Sequence, residues 1–408
     1  MTITAGGRSP RGALPRAPEK APENASAAPE AAPETKGLIA LHGLSGTPDA
    51  AAGYAGLARA GYMRNPVAHR CVRLVSEAAA SVPLMLTDEG AEHDAHPMLD
   101  LLERPNPRQP GAALLEAVYG HLLLAGDAFV ERVELDGTPR ELHALRPDRV
   151  EVEADARGWP EAFTVREGSG RRRLPAGEDG AVLHLSLFHP LDDTRGHAPI
   201  EAASGALEVH NAASRWARSL LENAARPSGA LVYAPKEGGN LSEEQFDRLK
   251  VELEGGYAGA SNAGRPMLLE GGLDWKAMSL TPQEMDFVEA RAAAARDIAL
   301  ALGVPPMLLG IPGDATYSNY AEANRALLRL TVLPLVQRTA AALSNWLGRS
   351  WGGNARLAPD LDGVPGLAVE REALWNRVSK ADFVSRAEKR AAVGYAPDDA
   401  DHAAGDGS

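Results

Sequence analysis

The sequence predicts an α+β protein whose first half mixes helices with short strands and whose second half is mostly helical. Three observations predict it. Between Leu84 and His189, short runs repeat at the two-residue period of a half-buried strand, as in Ala128-Phe129-Val130-Glu131-Arg132-Val133 and Arg149-Val150-Glu151-Val152-Glu153. After Pro199 the apolar residues take up helical spacing, with helix-start signatures at Ser242, Thr281 and Asn319. Before residue 60 neither period is present.

Residues 1–60 therefore read as a disordered tail. The run from Arg16 through Lys36 is mostly Pro, Ala and Glu, which cannot bury enough surface to offset the entropy of ordering. Its removal is expected to leave folding intact. Order is expected to begin near Asn65-Pro66, opening a helix over Val67–Val82. A second helix, Ala112–Ala125, interrupts the strand-rich region, where Gly137-Thr138-Pro139 and Arg157-Gly158-Trp159-Pro160 supply turns.

The helical half starts with Ile200–Asn223, ended by Pro227. The next helix has Ser242 as N-cap, Gln245 as its capping-box partner, and Leu241 and Phe246 as a hydrophobic staple. Thr281-Pro282-Gln283-Glu284 then places a capping Thr, a Pro at the first helical position and a reciprocal Glu in register. Met285, Val288, Ala292, Ala295, Ala299 and Leu302 continue it at alternating steps of three and four, and Gly303 closes it. A loop with three prolines and three glycines leads to a long helix, Asn319–Leu347, for which Asn319 and Glu322 form a capping pair. Pro334 lies in its middle, removes one backbone hydrogen bond and predicts a kink. A Gly- and Asp-rich connector and one charged helical segment, Glu370–Val393, complete the chain.

Composition narrows the function classes. The 408 residues are 44% hydrophobic and 24% charged, with a net charge of −13, which is ordinary for a soluble globular protein but not for a general DNA-binding face. The single cysteine, Cys71, leaves no intrachain disulfide or cysteine-rich zinc site and is expected to be a buried structural thiol. No stretch reads as the ~20 apolar residues of a membrane span, and the first residues carry no apolar signal core. A soluble protein from a reducing compartment, without a membrane partner, is the expectation.

Motif by motif, catalysis is not supported. Leu41-His42-Gly43-Leu44-Ser45-Gly46 has lipase-like elements, but Gly46 follows Ser45 directly where a nucleophile elbow needs Gly-x-Ser-x-Gly. Gly259 to Gly264 has the glycine spacing of a phosphate loop, yet Arg265-Pro266 stands where Lys-Ser/Thr is required. The eleven histidines form no metal-binding spacing, and His184 and His189 read as strand-edge residues. No enzyme activity, metal or cofactor is expected.

An ordered set of segments carries a likeness that no single segment would. It includes Asn65-Pro66-Val67-Ala68-His69-Arg70-Cys71-Val72, His96-Pro97-Met98-Leu99 with Pro105-Asn106-Pro107 after Arg104, and Leu122 to Phe129. It continues with Gly196-His197-Ala198-Pro199-Ile200, Glu222 to Gly229, Asn262 to Gly272, Gly303 to Gly310, Tyr317-Ser318-Asn319-Tyr320 and Leu333-Pro334-Leu335. In this order and spacing over residues 65–350, the chain resembles the portal protein family of tailed double-stranded DNA phages, in its long-tailed branch, and of the gene transfer agents derived from them.

The resemblance implies a portal fold that closes into a cyclic, usually twelve-fold ring at one capsid vertex of the virion, assembled in the host cytoplasm. Through it double-stranded DNA is packaged and ejected, and its implied partners are other copies of itself, the major capsid protein, the terminase large subunit and a head–tail adaptor. It also implies a wing over residues 61–197, a first stem helix over 198–226, a clip over 227–280 and a second stem helix over 281–302. A tunnel loop over 303–318, a kinked wing helix over 319–350 and a crown with C-terminal tail over 351–408 follow. The implied channel contacts are Gly310, Gly313, Asp314, Thr316, Tyr317, Ser318 and Asn319, and the stem packing residues are the six from Met285 to Leu302 named above. Few cations in this loop suit a polymer that must slide, since many Lys and Arg contacts would hold DNA through counterion release. The rival reading is a head–tail connector or capsid-vertex component without a channel; a hydrolase using Ser45 and His42 stands third.

Overall fold

A computed structural model of the chain describes residues 53–395, apart from 89–90, 178, 223–228, most of 234–272, 278–286 and 312–316. Helical structure starts earlier than composition predicts, at α1 (Tyr54–Leu57), followed by a π-helical turn over Ala58–Met63. Side-chain packing is the reason. Tyr54 Oη is hydrogen-bonded to His121 Nδ1 at 3.1 Å, Leu57 and Tyr62 pack on the main core, and Gly61 lies against Ile200. The expected tail boundary at residue 60 is therefore too late. Deleting residues 1–52 is expected to leave circular dichroism and melting unchanged, whereas deleting through Met63 should cost on the order of 2 kcal/mol from lost apolar burial, read as a lower Tm.

Asn65 and Pro66 start α2 (Pro66–Ala80) as the sequence predicts: the Asn65 side chain accepts from the amides of Val67 and Ala68, both at 3.0 Å. Cys71 is fully buried on this helix, and burial pushes its thiol up to about 12, so it is inert at neutral pH. After β1 (Leu84–Asp88) and β2 (Ala91–His93) come α3 (Pro97–Glu103) and α4 (Gly111–Ala125).

Six strands follow: β3 (Asp127–Leu135), β4 (Thr138–Leu145), β5 (Val150–Ala154), β6 (Pro160–Glu167), β7 (Gly170–Pro175) and β8 (Val182–Ser186). They form two antiparallel three-stranded sheets, in the orders β4-β3-β8 and β5-β6-β7. The alternation in β3 marks a strand buried on both sides, and not half-buried as expected, because it divides two cores. Ala128 and Val130 point into the main core, while Phe129 points into a smaller one with Val150, Phe163, Val165 and Val182.

The helix expected from Ile200 is broken. Residues Pro199–Ala202 form α5 and Ser204–Glu222 form α6, separated by Ala203 at φ −93°, ψ 8°. Buried Ala203 still accepts from the Leu207 amide at 2.8 Å, so the second helix starts on it. Strands β9 (Gly229–Tyr233) and β10 (Leu273–Ala277) pair antiparallel within the expected clip. The capping box foreseen at Ser242 and Gln245 is present: each backbone amide donates to the other side chain, at 3.0 and 3.3 Å. Leu241, Phe246 and the Thr281–Glu284 cap lie outside the described residues.

The rest comprises α7 (Phe287–Ala301), α8 (Tyr317–Leu327), a π-helical turn over Leu328–Val332, α9 (Leu333–Leu347), β11 (Arg356–Pro359), α10 (Ala368–Ser379) and α11 (Arg386–Val393). The interruption expected at Pro334 takes the form of that π-helical turn, widened just where proline lacks its amide and its ring would press on the carbonyl of residue 330. By length and composition, Asn319–Trp351 could cross a membrane, contrary to the reading that no stretch could. Val332, Val336, Ala340, Leu343 and Leu347 instead bury one face of it in this chain's own core. Two more expectations are corrected here. The connector after Gly348 contains β11, which pairs with β1 in a sheet ordered β11-β1-β2. The charged segment is two helices, because Ser385 and Glu388 form a capping box that starts a new one.

Candidate functional site

The residues that the resemblance assigns to a stem and loop lie on α6, α7, the segment after α7, and α8. Helices α6 and α7 pack on each other. On α6, Leu207, His210 and Ala213 are buried; on α7, Ala294, Ala295, Ile298, Ala299 and the following Leu302 are. Of the predicted stripe, then, Ala295, Ala299 and Leu302 face this chain's own interior, Ala292 is half-buried, Val288 is 83% exposed, and Met285 lies outside the described residues. Ala294 and Ile298 were not foreseen; a stripe of single residues at steps of three and four leaves out the second flank of a helix buried over a wide face.

A polar node joins these helices to the start of α2 and the π-helical turn before it. Oδ1 of buried Asn65 is held by the two α2 amides, so its amide nitrogen must donate, and it does so to His210 Nδ1 at 3.1 Å and Asn211 Oδ1 at 3.0 Å. Asn211 in turn donates to the Ala60 carbonyl at 3.0 Å. Arg291 Nε of α7 is directed as a donor at His210 Nε2, at 3.5 Å. Burial, and then the Arg291 charge, depress the His210 pKa, and burial lowers that of His121 to about 4. Both imidazoles are neutral in the fold and charge more readily when unfolded, where the pKa is about 6.5. Stability is therefore fully present above pH 6.5 and lost as pH falls towards 4, by on the order of 1–2 kcal/mol. Chemical melts at pH 7.5 and pH 5 check this, and His121→Gln should flatten the difference.

Gly303 ends α7 as expected, at φ 66°, with its amide bonded to Leu300 O at 3.0 Å and the Val304 amide to Ala299 O at 2.8 Å. The Thr331 hydroxyl donates to the Gly303 carbonyl at 2.7 Å and so ties the loop's base to the π-helical turn after α8. The loop continues through a short 3-10 turn, Pro306–Leu309, to Gly310 at φ 70°. Gly313, Asp314 and Thr316 lie outside the described residues. Tyr317, Ser318 and Asn319, expected in the loop or at its end, instead form the first turn of α8. Asn319 is inside the helix, not its cap, and the expected partner Glu322 pairs with Arg325 one turn on. The helix thus starts before Asn319, at Tyr317.

Two segments far apart in sequence meet just before α5. Gly126 caps α4 in the left-handed region at φ 75°, and its carbonyl accepts from the Leu187 amide at 2.8 Å. A Cβ on Gly126 would sit 2.3 Å from the Gly196 carbonyl oxygen, and one on Gly196 2.0 Å from that of Gly126. Buried Asp127 locks the approach: its Oδ1 accepts from the Gly196 amide and pairs with His184 Nε2, both at 2.8 Å. His184 also stacks on Phe129 at 4.5 Å, a structural role that agrees with its strand-edge reading. Among the described residues, no group of His, Cys, Asp and Glu could hold a metal.

This arrangement can fix a rigid helical pair and a loop base. It also leaves apolar side chains without cover: Val209 on α6, Val288 and Leu300 on α7 and Leu330 on the π-helical turn are 48, 83, 77 and 75% exposed. The family described as phage portal protein matches residues 66–394. The probable portal protein of Streptomyces phage phiC31 is 27% identical over 80% of this chain and 73% of its own length. Chains from two gene transfer agent necks are each 52% identical and cover 85% of this chain and 94% of their own. One is from an empty particle computed with C6 symmetry, at a TM-score of 0.68, and the other from a native particle computed with C12 symmetry, at 0.66.

Proposed function

The chain belongs to the phage portal protein family, and from that premise we propose that it closes into a twelve-fold ring that channels double-stranded DNA through one capsid vertex. Its place is the capsid vertex of the particle, and its role is structural. The observation that carries the reading is the 52% identity, over 85% of this chain, to a chain of a particle neck with C12 symmetry. In the ring, the exposed Val209, Val288, Leu300 and Leu330 find cover on neighbouring copies. Burying such residues between subunits is the usual source of a stable cyclic contact.

The wing meets the major capsid protein, and the clip, with β9 and β10, meets the terminase large subunit and later the head–tail adaptor. Assembly takes place in the host cytoplasm. The loop from Gly303 to Ser318 lines the channel, its base held by Thr331 and its polar residues offering weak, exchangeable contacts to the DNA backbone.

Substituting Asp314→Lys with Ser318→Lys adds positive charge at every subunit. The expected result is intact assembly with slowed or trapped DNA during packaging and ejection, relieved as salt rises because each phosphate contact adds to the salt dependence. Packaged length and release rate at low and high salt are the measurements. Normal values at both salts would remove the loop from the channel.

A further inference from the structure

The Arg-Pro-Asn stretch that forms part of the family likeness has no place in the channel account. The structure folds it into the wall of an open cavity of about 700 Å³ whose lining includes Glu103, Arg104, Asn106, Arg108, Arg140 and Glu141. The wall is rigid. Asn106 Nδ2 donates to the Leu142 carbonyl at 2.8 Å, its Oδ1 accepts from the Arg108 amide at 3.0 Å, and the Leu142 amide donates to Pro105 O at 2.7 Å. The loop is thereby fastened to β4, which carries Arg140 and Glu141.

The charges in this cavity are unbalanced. Arg104, Arg108 and Arg140 are all exposed, and among the described residues none has an ion-pair partner. Elsewhere on the same domain Arg146, Arg172 and Arg173 each hold a carboxylate. Of the two carboxylates in the lining, Glu141 is engaged by His143 Nε2 at 2.8 Å. A chain with a net charge of −13 has carboxylates to spare, yet among the described residues none forms an ion pair with these three guanidinium groups, although Glu103 and Glu141 share the lining. Guanidinium forks match carboxylates in two-point geometry, and a preformed wall lowers the ordering cost of binding.

We propose that this cavity is a docking site for an acidic loop of a partner protein, one that brings two or more carboxylates to Arg104, Arg108 and Arg140. A nucleic acid fits less well. A phosphate backbone needs cations running along its path, whereas here they are confined to one cavity whose wall also holds Glu103 and Glu141. Those same carboxylates suit a peptide, because they accept from its backbone amides.

The test uses the full-length chain and two probes: a blocked Asp-Gly peptide with four carboxylates, and a thymidine oligonucleotide with four phosphates. Calorimetry at low salt is expected to show the peptide binding, more weakly as salt rises. In the triple variant Arg104→Ala, Arg108→Ala, Arg140→Ala its affinity should fall at least about tenfold. Since all three side chains are exposed, the variant should melt like the parent. An undetectable peptide, or equal binding by the variant, overturns the proposal. Oligonucleotide binding as tight as the peptide's, and lost in the variant, overturns it in favour of a nucleic-acid site.

Discussion

Ala295→Glu is expected to cost on the order of 3–5 kcal/mol and to unfold much of the purified chain before any ring can form. Ala295 is 5% exposed within a single chain, on the face of α7 that also buries Ile298, Ala299 and Leu302. A carboxylate there would lose its water, and the surrounding side chains leave little room for a larger residue. Val288→Glu lies two turns earlier on the same helix but is 83% exposed, so the chain itself should melt within about 0.5 kcal/mol of wild type. Any damage from Val288→Glu should appear only in ring closure, seen by light scattering. Urea melts of both variants separate the two expectations. An Ala295→Glu chain that melts like wild type would mean that α7 does not pack as described.

Gly196→Ala is the second large effect, expected to cost at least about 3 kcal/mol or to give insoluble protein. The added methyl would fall 2.0 Å from the Gly126 carbonyl oxygen, and backbone cannot rotate aside as a flexible side chain can. Relief would require breaking the Gly196–Asp127 hydrogen bond and moving the entry to α5. Gly310→Ala is the internal comparison. At φ 70° it is strained too, but nothing lies within 4 Å of its missing Cβ, so about 1 kcal/mol is expected. Equal losses at the two positions would mean that the close approach is not a constraint.

This pair of glycines also shows what the sequence reveals and what it hides. The segments around Gly126 and Gly196 are recognisable as parts of a family pattern, but they lie 69 residues apart in the bond from Gly196 to Asp127, and no local period links them. The capping box at Ser242 and the glycine closing α7 were legible because each depends on residues within one helical turn. Asn65-Pro66 was readable as the start of a helix, while the donation from Asn65 to His210 and Asn211 was not. The early start of order at Tyr54 was hidden for the same reason, since its partner His121 is distant in sequence. The break at Ala203 and the division of β3 between two cores likewise follow from tertiary packing, which overrides a local pattern. As for the candidate loop, its base and Gly310 could be read from Gly and Pro, but its end could not, because Asn319 and Thr316 are both acceptable caps.

The central claim is a ring of this chain around a DNA channel at one vertex. Electron cryomicroscopy of the assembled particle, reconstructed at that vertex without imposed symmetry, tests it most directly. Twelve copies in a closed ring are expected, with the segment from Gly303 to Ser318 lining the lumen and Val288 and Leu300 covered by adjacent copies. A vertex holding this chain outside the lumen, or in no closed ring, would contradict it.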